Sequence, residues 1–375
     1  MAFATQLVSP CMVSASRLAV AAVGFFGSTH AGTAAVSVAC LRSAPILALC
    51  LGSFLFSSSL AAENAAAAGP AVEIFAKDAK LEVVAGKGAG GEGPAWHPKL
   101  GVLSSGNGHI MQLTLAGESR IYRDGAGTNG LLFDKTGRLL ACEPKLRRVT
   151  RQELDGSLTV LTDNYQGKRY NQPNDITVDS SGRIYFTDPR YGSKDDMQIR
   201  DAEGKTIEGV YRIDVDGRVV RIIGRELERP NGILVSADDK YLFVADNNND
   251  ALGGARKLWR FVLKADGSVD LASKKLLHDW GQGRGPDGLK QDQLGRLFVA
   301  GGLNKPNPPV EPAADVKGGV YVFTPDGESL GFLPVPTDEV TNCAFGGEDR
   351  KSLYVTGGGV LYRIRVTTPG RTVLP

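Results

Sequence analysis

One phrase recurs six times along this chain, and no other feature narrows its possible folds as much. A polar residue leads into a small or apolar pair, an extended stretch, a Gly or Asp turn and an apolar strand. The copies are EGPAWHPKLGVLSS from Glu92, NGLLFDKTGRLLAC from Asn129, NDITVDSSGRIYFT from Asn174, NGILVSADDKYLFV from Asn231, DGLKQDQLGRLFVA from Asp287 and NCAFGGEDRKSLYV from Asn342. Their starts lie 37, 45, 57, 56 and 55 residues apart. Within them ITVD and RIYFTD alternate at strand period, and DxxG or SADD supplies hairpin-turn chemistry. Further strand pairs with D-G turns fill the gaps, at residues 209–222, 257–269 and 319–332. Four short strands per unit with no helical periodicity predict an all-β fold, a six-bladed β-propeller over residues 75–367. A β-sandwich, or two smaller β domains, leaves the sixfold recurrence unexplained.

Composition agrees. The 375 residues are 42% hydrophobic, enough for a sizeable core, and 47 Gly with 7% aromatics disfavour a coiled coil or helical array. With 43 basic and 41 acidic residues there is no basic field to attract nucleic acid or an anionic membrane.

The first 61 residues differ in kind. No acidic residue occurs before Glu63, and only Arg17 and Arg42 are basic. Behind Arg42 runs APILALCLGSFL, and Ser59, Leu60 and Ala61 place small residues where a signal peptidase cuts. Residues 1–61 read as a secretory signal, followed by a linker over 62–74 and, at the other end, a tail over 368–375. The apolar run lies far from Met1, so a downstream start or a membrane anchor using residues 18–26 are the competing readings. A cleaved signal implies an exported protein, periplasmic or secreted, with no lasting membrane partner, as monomer or dimer. Cys11, Cys40 and Cys50 leave with it. Cys142 and Cys343 remain, without a CxxC, which excludes a zinc ribbon, an iron–sulfur site and a disulfide scaffold. Two small core residues explain them more simply than one disulfide. The remaining chain carries 41 basic and 41 acidic residues.

In a propeller the innermost strands line a central channel. The leading position of the six phrases then forms a ring: Glu92, Asn129, Asn174, Asn231, Asp287 and Asn342. Taken singly, Asn and Asp in PND and PNG are ordinary turn residues. As six aligned positions they form a circle of oxygens with two carboxylates and neither sulfur nor imidazole. That donor set suits a hard divalent cation such as Ca2+, with Mg2+ or Mn2+ as alternatives, and argues against zinc or copper as the preferred metal.

EGPAW from Glu92, PND around Asn174, PNG around Asn231, PDG around Asp287 and TNCAFGG from Thr341 resemble the gluconolactonase/senescence-marker-protein (regucalcin-like) family. The likeness runs over nearly all of the chain after the signal. It implies a six-bladed propeller with one catalytic divalent metal, which could be Ca2+, Mg2+, Mn2+ or Zn2+. It further implies metal ligands Glu92, Asn174, Asn231 and Asp287, with Asn129 and Asn342 behind them or facing substrate. The implied activity is hydrolysis of a lactone, a sugar lactone such as gluconolactone or a similar ester, with Asp287 as general base or proton shuttle.

Other candidates rest on position. Arg169 and Tyr170 before PND, and Arg190 and Tyr191 after its strand, are expected at the channel mouth, where they could bind a sugar hydroxyl or carboxylate; ordinary loop positions explain the arginines equally well. Glu143 ends a strand and reads as a surface carboxylate. Of His97, His109 and His278, His109 is the candidate to reach the metal as a base, as a His does in other calcium propellers; an isolated His is ordinarily a structural or surface residue. Loops 192–208, 247–256 and 303–317 have the composition of mobile lids. No GxSxG elbow or P-loop occurs, and GAGGEG lacks a following helix. Two other functions share the ring: a non-catalytic propeller that binds a sugar or protein around a structural calcium, and a calcium-dependent phosphotriesterase or arylesterase.

Overall fold

The computed structural model describes residues 73–371 and Val373. The expected signal segment lies outside the described residues. Six four-stranded antiparallel sheets account for nearly all the regular structure, with one two-stranded hairpin, Asn164–Tyr165 with Lys168–Arg169. In blades 1 to 5 the strands follow one another outward in chain order. Their innermost strands are Glu92–His97, Leu131–Phe133, Ile176–Val178, Pro230–Val235 and Pro286–Gln291. Blade 6 is built differently. Val340–Gly346, Ser352–Gly357 and Gly359–Arg365 come from the end of the propeller domain, and the outermost strand, Glu82–Gly90, comes from its beginning. Pairing Glu82 with Arg363 and Val83 with Tyr362 closes the circle with backbone hydrogen bonds between the two ends of the domain.

The hydrophobic core is divided among the six blade interfaces. Leu140, Cys142 and Val149 of blade 2 pack on Ile176, Phe186 and Tyr211 of blade 3. Phe298 and Val320 of blade 5 pack on Cys343, Phe345 and Leu353 of blade 6. Second strands are therefore covered on both faces. Ile184–Asp188 and Leu297–Gly301 are buried at every position. Outer strands alternate, as in Leu158–Thr162. Cys142 and Cys343 are free and buried, as the simpler reading required.

The DxxGR turns carry a bracket of their own. Asp134 accepts from the N–H of Thr136 and Arg138 and binds the Arg138 guanidinium at 2.7 Å. Asp179–Arg183 and Asp292–Arg296 repeat that ion pair at 2.6 Å.

Residues expected to be linker and tail engage the propeller. Thr367 N–H donates to Ile74 carbonyl. Gly370 pairs with Asp292, and Arg371 N–H donates to Gln291 carbonyl. The segment thus crosses the end of the channel beneath the ring, where Val373 joins Leu132, Ile176 and Phe345.

Candidate metal and substrate site

Two local devices aim the ring residues. Ladder registers slip between Glu92 and Ala95, Pro230 and Ile233, Pro286 and Leu289, and Val340 and Asn342. A bulge bends the strand and redirects a side chain, and here each one falls at a ring position. Second, the residue after the ring position is usually Gly because the next blade leaves no room. A Cβ on Gly130 would lie 2.6 Å from the Asn174 carbonyl oxygen, and one on Gly232 would lie 2.0 Å from that of Asp287. The innermost strands touch in succession and the sixth returns to the first.

Hydroxyls on the second strands hold the ring backbone. Ser105 donates to the Asn129 carbonyl and Thr187 to the Asn231 carbonyl, at 2.7 and 2.6 Å, each reaching into the next blade. Asp188 accepts the N–H of Asn171 and Gln172, both at 2.8 Å, just before Asn174. Asp246 does the same for Glu228 and Arg229, just before Asn231.

Glu92 and Asp287 lie in the same electrostatic environment. Glu92 Oε2 accepts from Gly93 N–H at 2.5 Å and from Asn342 Nδ2 at 3.1 Å. Burial, then the charge of Asp175, pushes Glu92 up to about 7. Burial, then Glu92, pushes Asp287 well above the usual carboxylate range, against the pull of Arg284. Asn342 is oriented from below, its Oδ1 accepting from Cys343 N–H and from Lys290 Nζ at 2.9 and 3.3 Å. Asn231 Nδ2 donates to the Tyr191 phenol at 2.7 Å.

Four ring oxygens find no protein partner although the atoms are buried: Asn129 Oδ1, Asn174 Oδ1, Asn231 Oδ1 and Asp287 Oδ1. Each such atom costs on the order of 1–3 kcal/mol unless something satisfies it. No cluster of three His, Cys, Asp or Glu side chains forms among the described residues. Any cation held here is therefore held by two carboxylates together with amide oxygens. Unpartnered, buried oxygen donors of this kind fit a hard divalent ion.

Other predicted residues fall elsewhere. Tyr170 is in the core, wedged between Phe186 and Tyr211 at 5.2 Å, with its hydroxyl on Thr162; the mouth expectation fails because this position enters the interface between blades 2 and 3. Arg169 is exposed on the small hairpin, its N–H on Gln198. The Arg190 guanidinium stays in its own loop, on Ser193 carbonyl and Asp196. Glu143 is 1% exposed rather than a surface carboxylate, because Arg123, Arg148 and Thr150 surround it at 2.7, 2.6 and 3.0 Å. His97 packs against Phe133 with the rings tilted, and His278 packs on Trp280 and Phe323. His109 pairs with Asp124 at the rim of blade 1.

The composition of the mouth was missed. Arg229, fully buried, binds Glu208 at 2.9 Å and lies over the Tyr191 ring. Arg284 binds Glu311 and Glu339. Both arginines stand just ahead of a ring residue, in RPN and RGPD, a spacing that could have marked them. Arg256 donates to carbonyls of Asn248, Ala251, Gly283 and Val310 and so ties down two of the loops read as lids.

A family model described as SMP-30/gluconolactonase/LRE-like region matches residues 90–359. A gluconolactonase of Zymomonas mobilis is 30% identical over 284 residues, 73% of this chain and 72% of that protein. The solved gluconolactonase of Xanthomonas campestris is 27% identical with a TM-score of 0.63, covering 80% of this chain and 98% of its own. A calcium-binding regucalcin of Agrobacterium tumefaciens shares the fold at 19% identity, with a TM-score of 0.59, over 80% of this chain and 96% of its own.

Proposed function

Because the chain belongs to the SMP-30/gluconolactonase/LRE-like family, we propose that it is a lactonase that opens a sugar lactone or a similar cyclic ester. In this reading Glu92, Asn174, Asn231 and Asp287 hold a divalent cation, Ca2+ by the character of the donors. The supporting observation is the set of buried oxygens without partners at Asn174, Asn231 and Asp287, on the same circle as the Glu92 carboxylate. Polarisation of the lactone carbonyl, with stabilisation of the oxyanion, is the chemistry such a cation supplies when bound.

The chain's own groups supply the rest. Asp287 takes a proton from the attacking water at its carboxylate and returns it to the departing ring oxygen. Arg284, paired with Glu311 and Glu339, keeps positive charge near Asp287. Asn342 fixes Glu92 through its amide. Asn129, whose Oδ1 is unpartnered, faces the substrate.

The test is hydrolysis of glucono-1,5-lactone and a panel of aldonolactones, an aryl ester and a phosphotriester. It is run on chelator-treated protein and after adding back Ca2+, Mg2+, Mn2+ or Zn2+. Lactone turnover abolished by chelator and restored by an ion is the expected result. Turnover that survives chelation overturns the metal, and no turnover of any lactone overturns the activity. Exchange of the lactone for the aryl ester or phosphotriester as best substrate reassigns the bond broken.

A further inference from the structure

We propose that Tyr191 is a positioning residue for the metal ring, acting through the amide of Asn231. The inference rests on the metal reading above. An Asn side chain can present either its oxygen or its NH2 group to the channel, and the two differ little in shape. Only the oxygen can bind a cation; the NH2 group would repel it. Something must therefore decide which way the amide turns. In this chain the Tyr191 phenol oxygen accepts from Asn231 Nδ2 at 2.7 Å, while Asn231 Oδ1 is buried without a partner. The two amide atoms diverge from one carbon, so an NH2 group held by Tyr191 sends the oxygen away from it.

Tyr191 is itself seated firmly. Its N–H donates to Gln172 Oε1 at 2.8 Å, and the preceding Arg190 N–H donates to Glu208 Oε2 at 2.7 Å. The same Glu208 binds Arg229, whose guanidinium lies 4.9 Å from the centre of the Tyr191 ring. Arg229 is two residues from Asn231, so the phenol and the amide it turns are referenced to one framework. Gly192 follows with φ of 80°, which lets the chain leave the site at once without a side chain in the mouth. Groups that hold metal ligands from behind are worth about 10- to 100-fold in affinity when removed.

The experiment is calcium titration by calorimetry on chelator-stripped full chain, for wild type, Tyr191→Phe, Asn231→Asp and the double variant. Melting of the metal-free proteins is measured alongside. Tyr191→Phe keeps the ring over Arg229 and loses only the oxygen, so metal-free melting should match wild type while calcium binding weakens about tenfold or more. Asn231→Asp presents an oxygen whichever way it turns, so adding Tyr191→Phe to it should change affinity much less. Tyr191→Phe with wild-type affinity overturns the proposal, and a raised KM alone would then make Tyr191 a substrate contact. An equal loss in both backgrounds overturns it too, as does an Asn231→Asp chain that binds no calcium. A wild-type chain that takes up no ion removes this proposal together with the metal reading, a result distinct from all of these.

Discussion

Replacing Gly232 with alanine should damage both stability and the ring, out of proportion to a single methyl group. Gly232 follows Asn231 in blade 4, and the nearest atom to a Cβ built there is the backbone carbonyl oxygen of Asp287 in blade 5, at 2.0 Å. A Leu289 methyl lies next, at 2.8 Å. Ordinary contact needs more than about 3 Å, so the two inner strands must part by about 1 Å or the bulge that carries Asp287 must change shape. Overpacking a core costs about 1–3 kcal/mol, and the upper end applies here because the nearest obstacle is backbone, which cannot turn aside as a side chain can. At about 2–4 °C per kcal/mol for large domains, the melting point should fall by about 6–12 °C. Because the displaced atom belongs to Asp287, calcium affinity should fall as well, by about tenfold or more. The control is Gly86→Ala. Gly86 lies in the outermost strand of blade 6 with nothing within 4 Å of a built Cβ, so alanine there should be neutral or slightly stabilising. The assays are calorimetric melting and calcium titration. A Gly232→Ala protein that melts and binds calcium like Gly86→Ala would refute the close approach between blades 4 and 5.

Three further outcomes are expected. Glu143→Gln leaves Arg123 and Arg148 facing a neutral amide; their side chains keep 21% and 26% exposure, so the loss should be about 2–3 kcal/mol by urea unfolding, below that of a fully buried pair. Asp287→Asn in folded protein should lower lactone turnover by about 100-fold or more, and near-full activity would remove Asp287 from proton transfer. Arg365 draws Asp349 down to about 2, from an ordinary value of 3.8. A depressed carboxylate stabilises above its unfolded value and loses that contribution as pH falls towards 2. The side chains are 46% and 51% exposed, so Asp349→Asn should cost less than about 1 kcal/mol at pH 7, and urea unfolding at pH 2–3 should show the difference shrinking.

Much of the propeller was legible because its information is local. Each phrase carries its own extended segment and its own turn, DxxG in three of them, and both depend on residues a few positions apart. Alignment of the six phrases then placed Glu92, Asn129, Asn174, Asn231, Asp287 and Asn342 at equivalent points without any coordinate. Cys142 and Cys343 read as small core residues because no CxxC claims them for another role. Tyr170 and Tyr191 show where local reading stops. Both flank the third phrase and look alike in sequence, yet Tyr170 fills a blade interface while Tyr191 reaches Asn231 of the next blade.

The chain alone therefore determined the repeat, the number of blades and the identity of the ring positions, since those depend on spacing along one strand and its turn. Only the closed circle decided that Glu92–His97 is flanked by a sixth blade drawn from both ends of the domain, that Glu143 is buried between two arginines, and that an amide oxygen at Asn231 is left unpartnered. Most of those facts rest on contacts between residues tens to hundreds of positions apart. They exist when six sheets pack edge to centre around one axis, and a linear pattern carries no term for that packing.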